Sequence, residues 1–217
     1  MADALRPLVT PTLVALFIAG GLLVVVTDWR VSFVALLAEY IGVAVVLTQL
    51  VLFEVAVVKL LLGLLVVSVL TLTGWQLNFG RPPATGETPS PRRFWAQPVP
   101  TGLPFRLMAA LMAVVAATYI ASQPQLTLPG LDHALAANTA SYLLMALGLV
   151  NLGLTAEPIN AGMGLLTLLI GFEIFYAAVE PSLAVVALLA GVHFGVALGV
   201  SYLAVLQYGV GAKATTT

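Results

Sequence analysis

The chain has 217 residues, 61% of them hydrophobic and 8% charged, with a mean hydropathy of +1.09, where a soluble domain carries about three times that share of charge. Eight Lys and Arg against nine Asp and Glu leave a net charge of -1, which excludes the basic surface that a nucleic-acid partner requires. The lack of cysteine removes disulfides, thiolate metal sites, iron-sulfur ligation and Cys nucleophiles, and two histidines are too few for a haem pair plus anything else.

A bilayer core of roughly 30 Å takes about 20 apolar residues in a helix, because backbone groups in lipid must be bonded within the segment. Seven segments meet that requirement. The first runs from Leu8 to Thr27; it has no Lys/Arg-rich start and ends at Thr27-Asp28-Trp29-Arg30 instead of a small-residue cleavage site, so a retained span is expected. The second and third, Val31 to Leu52 and Val55 to Thr73, are separated only by Phe53-Glu54, and one helix through both would be well over the bilayer thickness. Residues 74–104 carry most of the prolines, with Gly-Arg-Pro-Pro at 80–83 and Pro-Ser-Pro-Arg-Arg at 89–93, and read as an extended surface loop. Spans four to seven follow at Phe105 to Ser122, Ala134 to Leu154, Ile159 to Val179 and Leu183 to Tyr208.

Short cytoplasmic loops hold the excess of Lys and Arg. Arg81, Arg92 and Arg93 lie in the proline-rich loop and Arg106 just inside span four, whereas the connections at 122–133 and 180–182 have none. The expected orientation is therefore N-terminus outside and C-terminus inside, with Arg30 and Lys213 inside and Arg6 the one basic residue on the wrong side. Trp29, Trp75, Trp95, Tyr208 and Tyr40 near span ends fit an interfacial belt.

A charge at the centre of a membrane helix costs about 2.5 to 3.5 kcal/mol on insertion scales, so each needs a reason. Four ionisable residues stand out inside spans: Glu39, Lys59, Glu173 and His193. Within each pair the separation is 20 positions, and one offset of 134 carries the first pair onto the second. The fold class expected is an all-α polytopic membrane protein of about seven helices, built as two parallel three-helix units joined by a connector helix. The second unit can repeat the first in the same orientation only if one extra crossing intervenes, and span four supplies it. The division is then 1–73, the loop 74–104, the connector helix and outer loop 105–133, and the second unit 134–217.

Leu-Leu-Ile-Gly-Phe-Glu-Ile at 168–174, followed by Ala177-Ala178, resembles the middle helix of subunit K of NADH:quinone oxidoreductase, whose hallmark is LIGxEI. The resemblance covers roughly residues 140–208. A longer chain with a subunit-K-like C-terminal half is similar to component E of membrane-bound group-four hydrogenases, with the C subunit of multisubunit cation/proton antiporters a cousin. It implies a non-catalytic subunit of a proton- or sodium-translocating assembly in the prokaryotic cell membrane. Its partners would be antiporter-like membrane subunits and a peripheral arm, and it would carry no cofactor. It implies further that Glu173 is a proton-relay carboxylate and that His193 occupies the second relay position. His193 stands where the family has a carboxylate, and the loop Thr155-Ala156-Glu157-Pro158 lacks the family's basic residues; a histidine still binds and releases protons near neutrality.

Glu173, about 13 residues from the inner end of its span, is expected roughly 20 Å deep, and His193 at a comparable depth, so that the two meet across adjacent helices. Glu39 with Lys59 reads as an auxiliary relay or a structural ion pair, with the Lys59 stem long enough to snorkel to the outer interface. Glu54 and Glu180 are expected solvated at outer helix ends. Gly191, Gly195 and Gly199 form two consecutive Gly-xxx-Gly steps and are expected to pack against another helix, of this chain or a neighbour. There is no GxGxxG, Walker sequence or metal-ligand cluster. Against the relay stand two other readings, a purely structural membrane scaffold and an intramembrane enzyme or lipid carrier that would need a polar cleft.

Overall fold

The computed structural model describes residues 9–26, 28–48, 50, 53–77, 102–127, 131, 134–155, 157–180 and 182–213. Among them every regular element is helical: α1 (Val9–Val25), α2 (Trp29–Leu47), α3 (Phe53–Gln76), α4 (Leu103–Ala121), a 3-10 turn (Pro124–Leu126), α5 (Leu135–Leu154), α6 (Pro158–Val179) and α7 (Leu183–Lys213). Six of the helices are long and apolar enough to cross a membrane, and α1 is a shorter apolar helix, an arrangement compatible with a polytopic membrane protein. Phe53-Glu54 opens α3, so α2 and α3 are separate helices. The central part of the proline-rich loop, 78–101, with Arg81, Arg92, Arg93 and Trp95, lies outside the described residues, as do Arg6 and the start of the first apolar run.

Helix ends follow from local chemistry. The Asp28 side chain caps α2 by accepting from the Arg30 backbone N–H at 3.1 Å. Pro104 and Pro158 stand in the first turns of α4 and α6, where a missing N–H leaves no bond unmade. Arg106 donates to the Val24 carbonyl at 3.3 Å and the Leu154 carbonyl at 3.4 Å. One guanidinium thereby serves the C-terminal ends of both α1 and α5, where unpaired carbonyls favour a cation. At the opposite end of α4, Asn138 near the start of α5 donates to the Ala121 carbonyl at 3.2 Å.

The interior is organised around α2 and α6, which pack on one another. On one side lie α3 and α7, in mutual contact, and on the other α1 and α5; α4 leans on α1 and α5. Each helix of the first three thus neighbours the helix 134 positions later. The closest pair is α5 with α6. At Gly148 an added Cβ would collide with the Leu168 and Gly164 backbone, and at Gly171 with the Met145 amide at 2.7 Å, so only glycine admits this backbone-on-backbone approach. In the same region the Ser141 hydroxyl donates to the Gly171 carbonyl at 2.7 Å. Leu64, Leu65, Met108, Met112, Leu188 and Leu203 point outward, at positions a soluble protein would fill with polar side chains.

Candidate functional site: a buried Lys-Glu-His cluster

Three ionisable side chains from three helices meet in the interior. Lys59 of α3 is 1% exposed, Glu173 of α6 3% and His193 of α7 fully buried. The Lys59 Nζ donates to the Glu173 Oε2 in a short ion pair, and lies 3.4 Å from the His193 Nε2. The His193 Nδ1 is 2.8 Å from the Leu189 carbonyl one turn earlier. A carbonyl can only accept, so Nδ1 carries the proton and Nε2 is left free to accept from Lys59. The Glu173 Oε2 and His193 Nε2 stand 3.6 Å apart, too far for a direct hydrogen bond but bridged by the ammonium.

The fourth wall is Tyr40 of α2, fully buried, with its ring centroid 5.0 Å from the Lys59 Nζ and 6.1 Å from the His193 ring in an edge-on contact. The ring sits where Gly63 of α3 has no side chain; any Cβ there would overlap it. A cation over an aromatic face is worth about 2 kcal/mol or more when desolvated. The ammonium therefore has a carboxylate, an imidazole and a ring around it.

Glu39, the residue before Tyr40, is fully buried and points elsewhere. Its Oε2 accepts from the Thr167 hydroxyl of α6 at 2.8 Å, while its Oε1 has no protein partner among the described residues. Thr167 lies six residues before Glu173 on α6, about 9 Å of helix rise. The two carboxyls thus contact the same helix at different levels and on different faces. Nearer the N-terminal end of α6, the Asn160 amide donates to the Glu157 Oε2 at 2.8 Å, and the Asn151 amide to the Asn160 carbonyl at 3.4 Å.

No protein-family model matches the chain, and no curated protein or solved structure does either.

Several sequence expectations change in the folded chain. Glu173 and His193 do come together, but the base bonded to Glu173 is Lys59, so the ion pair joins the two halves of the sequence. Glu39 makes no ion pair with Lys59; it turns to Thr167. Lys59 does not snorkel, because a carboxylate one helix away satisfies it at no cost in stem extension. Glu173 keeps the depth expected of it, fifteen residues or about 22 Å of helix rise from the start of α6, and is six residues from its C-terminal end. Tyr40 belongs to the cluster and not to an interfacial belt. Gly191, Gly195 and Gly199 are exposed, with nothing of this chain within 4 Å of where a Cβ would stand. Within this chain backbone meets backbone at Gly148, Gly164 and Gly171, and the α7 glycines leave the open face that a neighbouring helix would take. Glu54 and Glu180 are exposed, as expected.

Tyr40, Thr167 and Asn151 went unremarked as site residues. A signal existed for two of them: Tyr40 adjoins an intramembrane acid, and Thr167 is a hydroxyl in an otherwise apolar run, one and a half turns before another.

Proposed function

We propose that this chain is a non-catalytic membrane subunit of a proton- or sodium-translocating complex, in which Glu173, Lys59 and His193 form an intramembrane protonatable relay and Glu39 an auxiliary carboxyl. The observation that carries this reading is the convergence of a carboxyl, an amine and an imidazole from α3, α6 and α7 within 4 Å of one another in the interior. Buried ionisable groups in membrane helices are costly and mark ion pathways, and here each has a partner to exchange a proton with. The likeness of 168–174 to subunit K and to component E of group-four hydrogenases supports the assignment. Antiporter-like membrane subunits and a peripheral arm are the partners this reading calls for, and the prokaryotic cell membrane its place. The chain would run N-terminus outside and C-terminus inside, Arg106 at the cytoplasmic face beside the arginine-rich loop. On the same reading α1–α3 and α5–α7 are parallel units related by the 134-residue offset. Direct contact between the matched residues Lys59 and His193 supports this.

The test is Glu173→Gln in native membranes with the partner subunits present. Coupled ion movement should be abolished while the complex still assembles; pumping at the wild-type rate refutes the relay.

A structural reading has one observation in its favour, the saturation of Lys59 by Glu173, His193 and the Tyr40 ring, which is what a static staple between α3, α6 and α7 requires. On that reading Glu173→Gln lowers stability and leaves pumping per assembled complex unchanged.

A further inference from the structure

A groove of about 290 Å³ runs between α1 and α4, two helices that contribute nothing to the Lys59–Glu173–His193 cluster, and every residue lining it is apolar or glycine. Phe17, Gly21 and Val25 of α1 face Leu107, Ala110 and Val114 of α4 across it. Their spacing of three or four residues gives each helix one continuous stripe along the groove. Small side chains open it: Ala110 and Val114 are buried, and at Gly21 an added Cβ would meet nothing within 4 Å. Phe17 and Leu107 are exposed and form its rim. From Phe17 to Val25 the groove follows about 12 Å of helix rise. That is most of one leaflet's half of the hydrocarbon core, roughly 15 Å.

Arg106 stands at one end of this groove. It precedes Leu107 by one residue and Ala110 by one turn on α4, and it donates to the carbonyl of Val24, the neighbour of Val25 on α1. Among the described residues the partners of its guanidinium are the Val24 and Leu154 carbonyls, at 3.3 Å and 3.4 Å, and no carboxylate. A guanidinium carries five N–H donors, so most of them remain to be used and the positive charge is left uncompensated. We infer that the α1–α4 groove binds one acyl chain of an anionic phospholipid, whose phosphate pairs with Arg106. A guanidinium holds a phosphate through two parallel N–H···O bonds, and basic positions between membrane helices take acidic headgroups. A spanning helix of a partner would call for a groove through both leaflets, about 30 Å long. The lipid fills the gap between α4 and α1 and so fastens α4 to the rest of the chain; this holds whether or not Glu173 passes protons.

The experiment is native mass spectrometry of the full chain, purified in detergent and given equimolar palmitoyl-oleoyl phosphatidylglycerol and phosphatidylcholine, with the thermal midpoint read in parallel. Wild type should retain a single lipid and prefer phosphatidylglycerol by about fivefold, the factor that roughly 1 kcal/mol for one basic residue gives. Gly21→Leu puts a side chain into open space within the groove, so it should lose the retained lipid of either kind with the lipid-free midpoint unchanged. Arg106→Gln should bind the two lipids equally. That variant also unties α4 from α1 and α5, so if it does not fold, the wild-type preference between the two lipids decides the headgroup claim. Equal retention of both lipids by wild type overturns the pairing with Arg106. Retention of phosphatidylglycerol by Gly21→Leu at the wild-type level overturns the groove as its seat, and a Gly21→Leu chain that does not fold overturns the open space itself. No retained lipid in wild type overturns the proposal and leaves the groove to a protein segment.

Discussion

Replacing Lys59 and Glu173 by methionine, singly and together, measures what the buried ion pair contributes. Removing one partner of such a pair strands a charge and costs about 3 to 5 kcal/mol, roughly two to three and a half powers of ten in the folding equilibrium. The two single changes should not be equal. Lys59→Met leaves Glu173 with the His193 Nε2 at 3.6 Å, close enough to share a proton after a small movement, so its cost falls near the lower figure. Glu173→Met leaves the ammonium against an imidazole and a ring with no counter-charge, so its cost falls near the upper figure. The double variant has no charge to desolvate, and two flexible thioether side chains fill the vacated volume; it should be neutral, or up to about 4 kcal/mol more stable than wild type. Equilibrium unfolding in mixed micelles of increasing denaturing detergent, followed by tryptophan fluorescence, gives the cycle. A double variant as unstable as the two singles summed would show that the pair is not the energetic unit described. Single variants within about 0.5 kcal/mol of wild type would refute the burial argument itself. The same double variant separates stability from transport, because a staple is restored by apolar filling and a relay is not.

Thr167→Val keeps the shape of the side chain and removes the hydroxyl bonded to Glu39; leaving both carboxyl oxygens without a protein partner should cost about 1 to 3 kcal/mol in the same unfolding assay, and no loss would place the Glu39 carboxyl elsewhere. Gly148→Leu should prevent the α5–α6 approach and abolish recovery of monodisperse protein on size exclusion, whereas Gly195→Leu should leave the isolated chain's melting midpoint within a degree or two. The reverse ranking of these two would refute the close α5–α6 contact and the open glycine face of α7.

Much of the architecture was legible as length and hydropathy. Among the described residues the seven apolar runs correspond to seven helices with ends within a few residues of those expected, as follows if a segment that is to cross hydrocarbon must close its backbone hydrogen bonds within itself. Pro104 and Pro158, read from the sequence as loop residues, stand in the first turns of α4 and α6, where a missing N–H leaves no bond unmade. The residues that matter were also visible, since an ionisable side chain in a 20-residue apolar run is conspicuous whatever surrounds it.

Which of those residues touch was a different matter. Sequence spacing pairs Glu39 with Lys59 and Glu173 with His193, and the folded chain pairs Lys59 with Glu173 across 114 positions. Spacing along a helix sets depth in the bilayer, but rotation about the helix axis and the choice of neighbour depend on packing with every other helix, and apolar faces that are uniform all round give no amphipathic signal to read. Glycine showed the same division. The repeated Gly-xxx-Gly of α7 carried the stronger pattern, yet the backbones met at Gly148, Gly164 and Gly171, because which small residues face a partner is decided only when the helices are side by side. The sequence determined that there would be membrane-length helices and that Glu39, Lys59, Glu173 and His193 would lie within them; tertiary structure alone decided that Tyr40 would stand against Lys59 and His193, since that position is created jointly by a missing side chain at Gly63, an ammonium from α3 and an imidazole from α7.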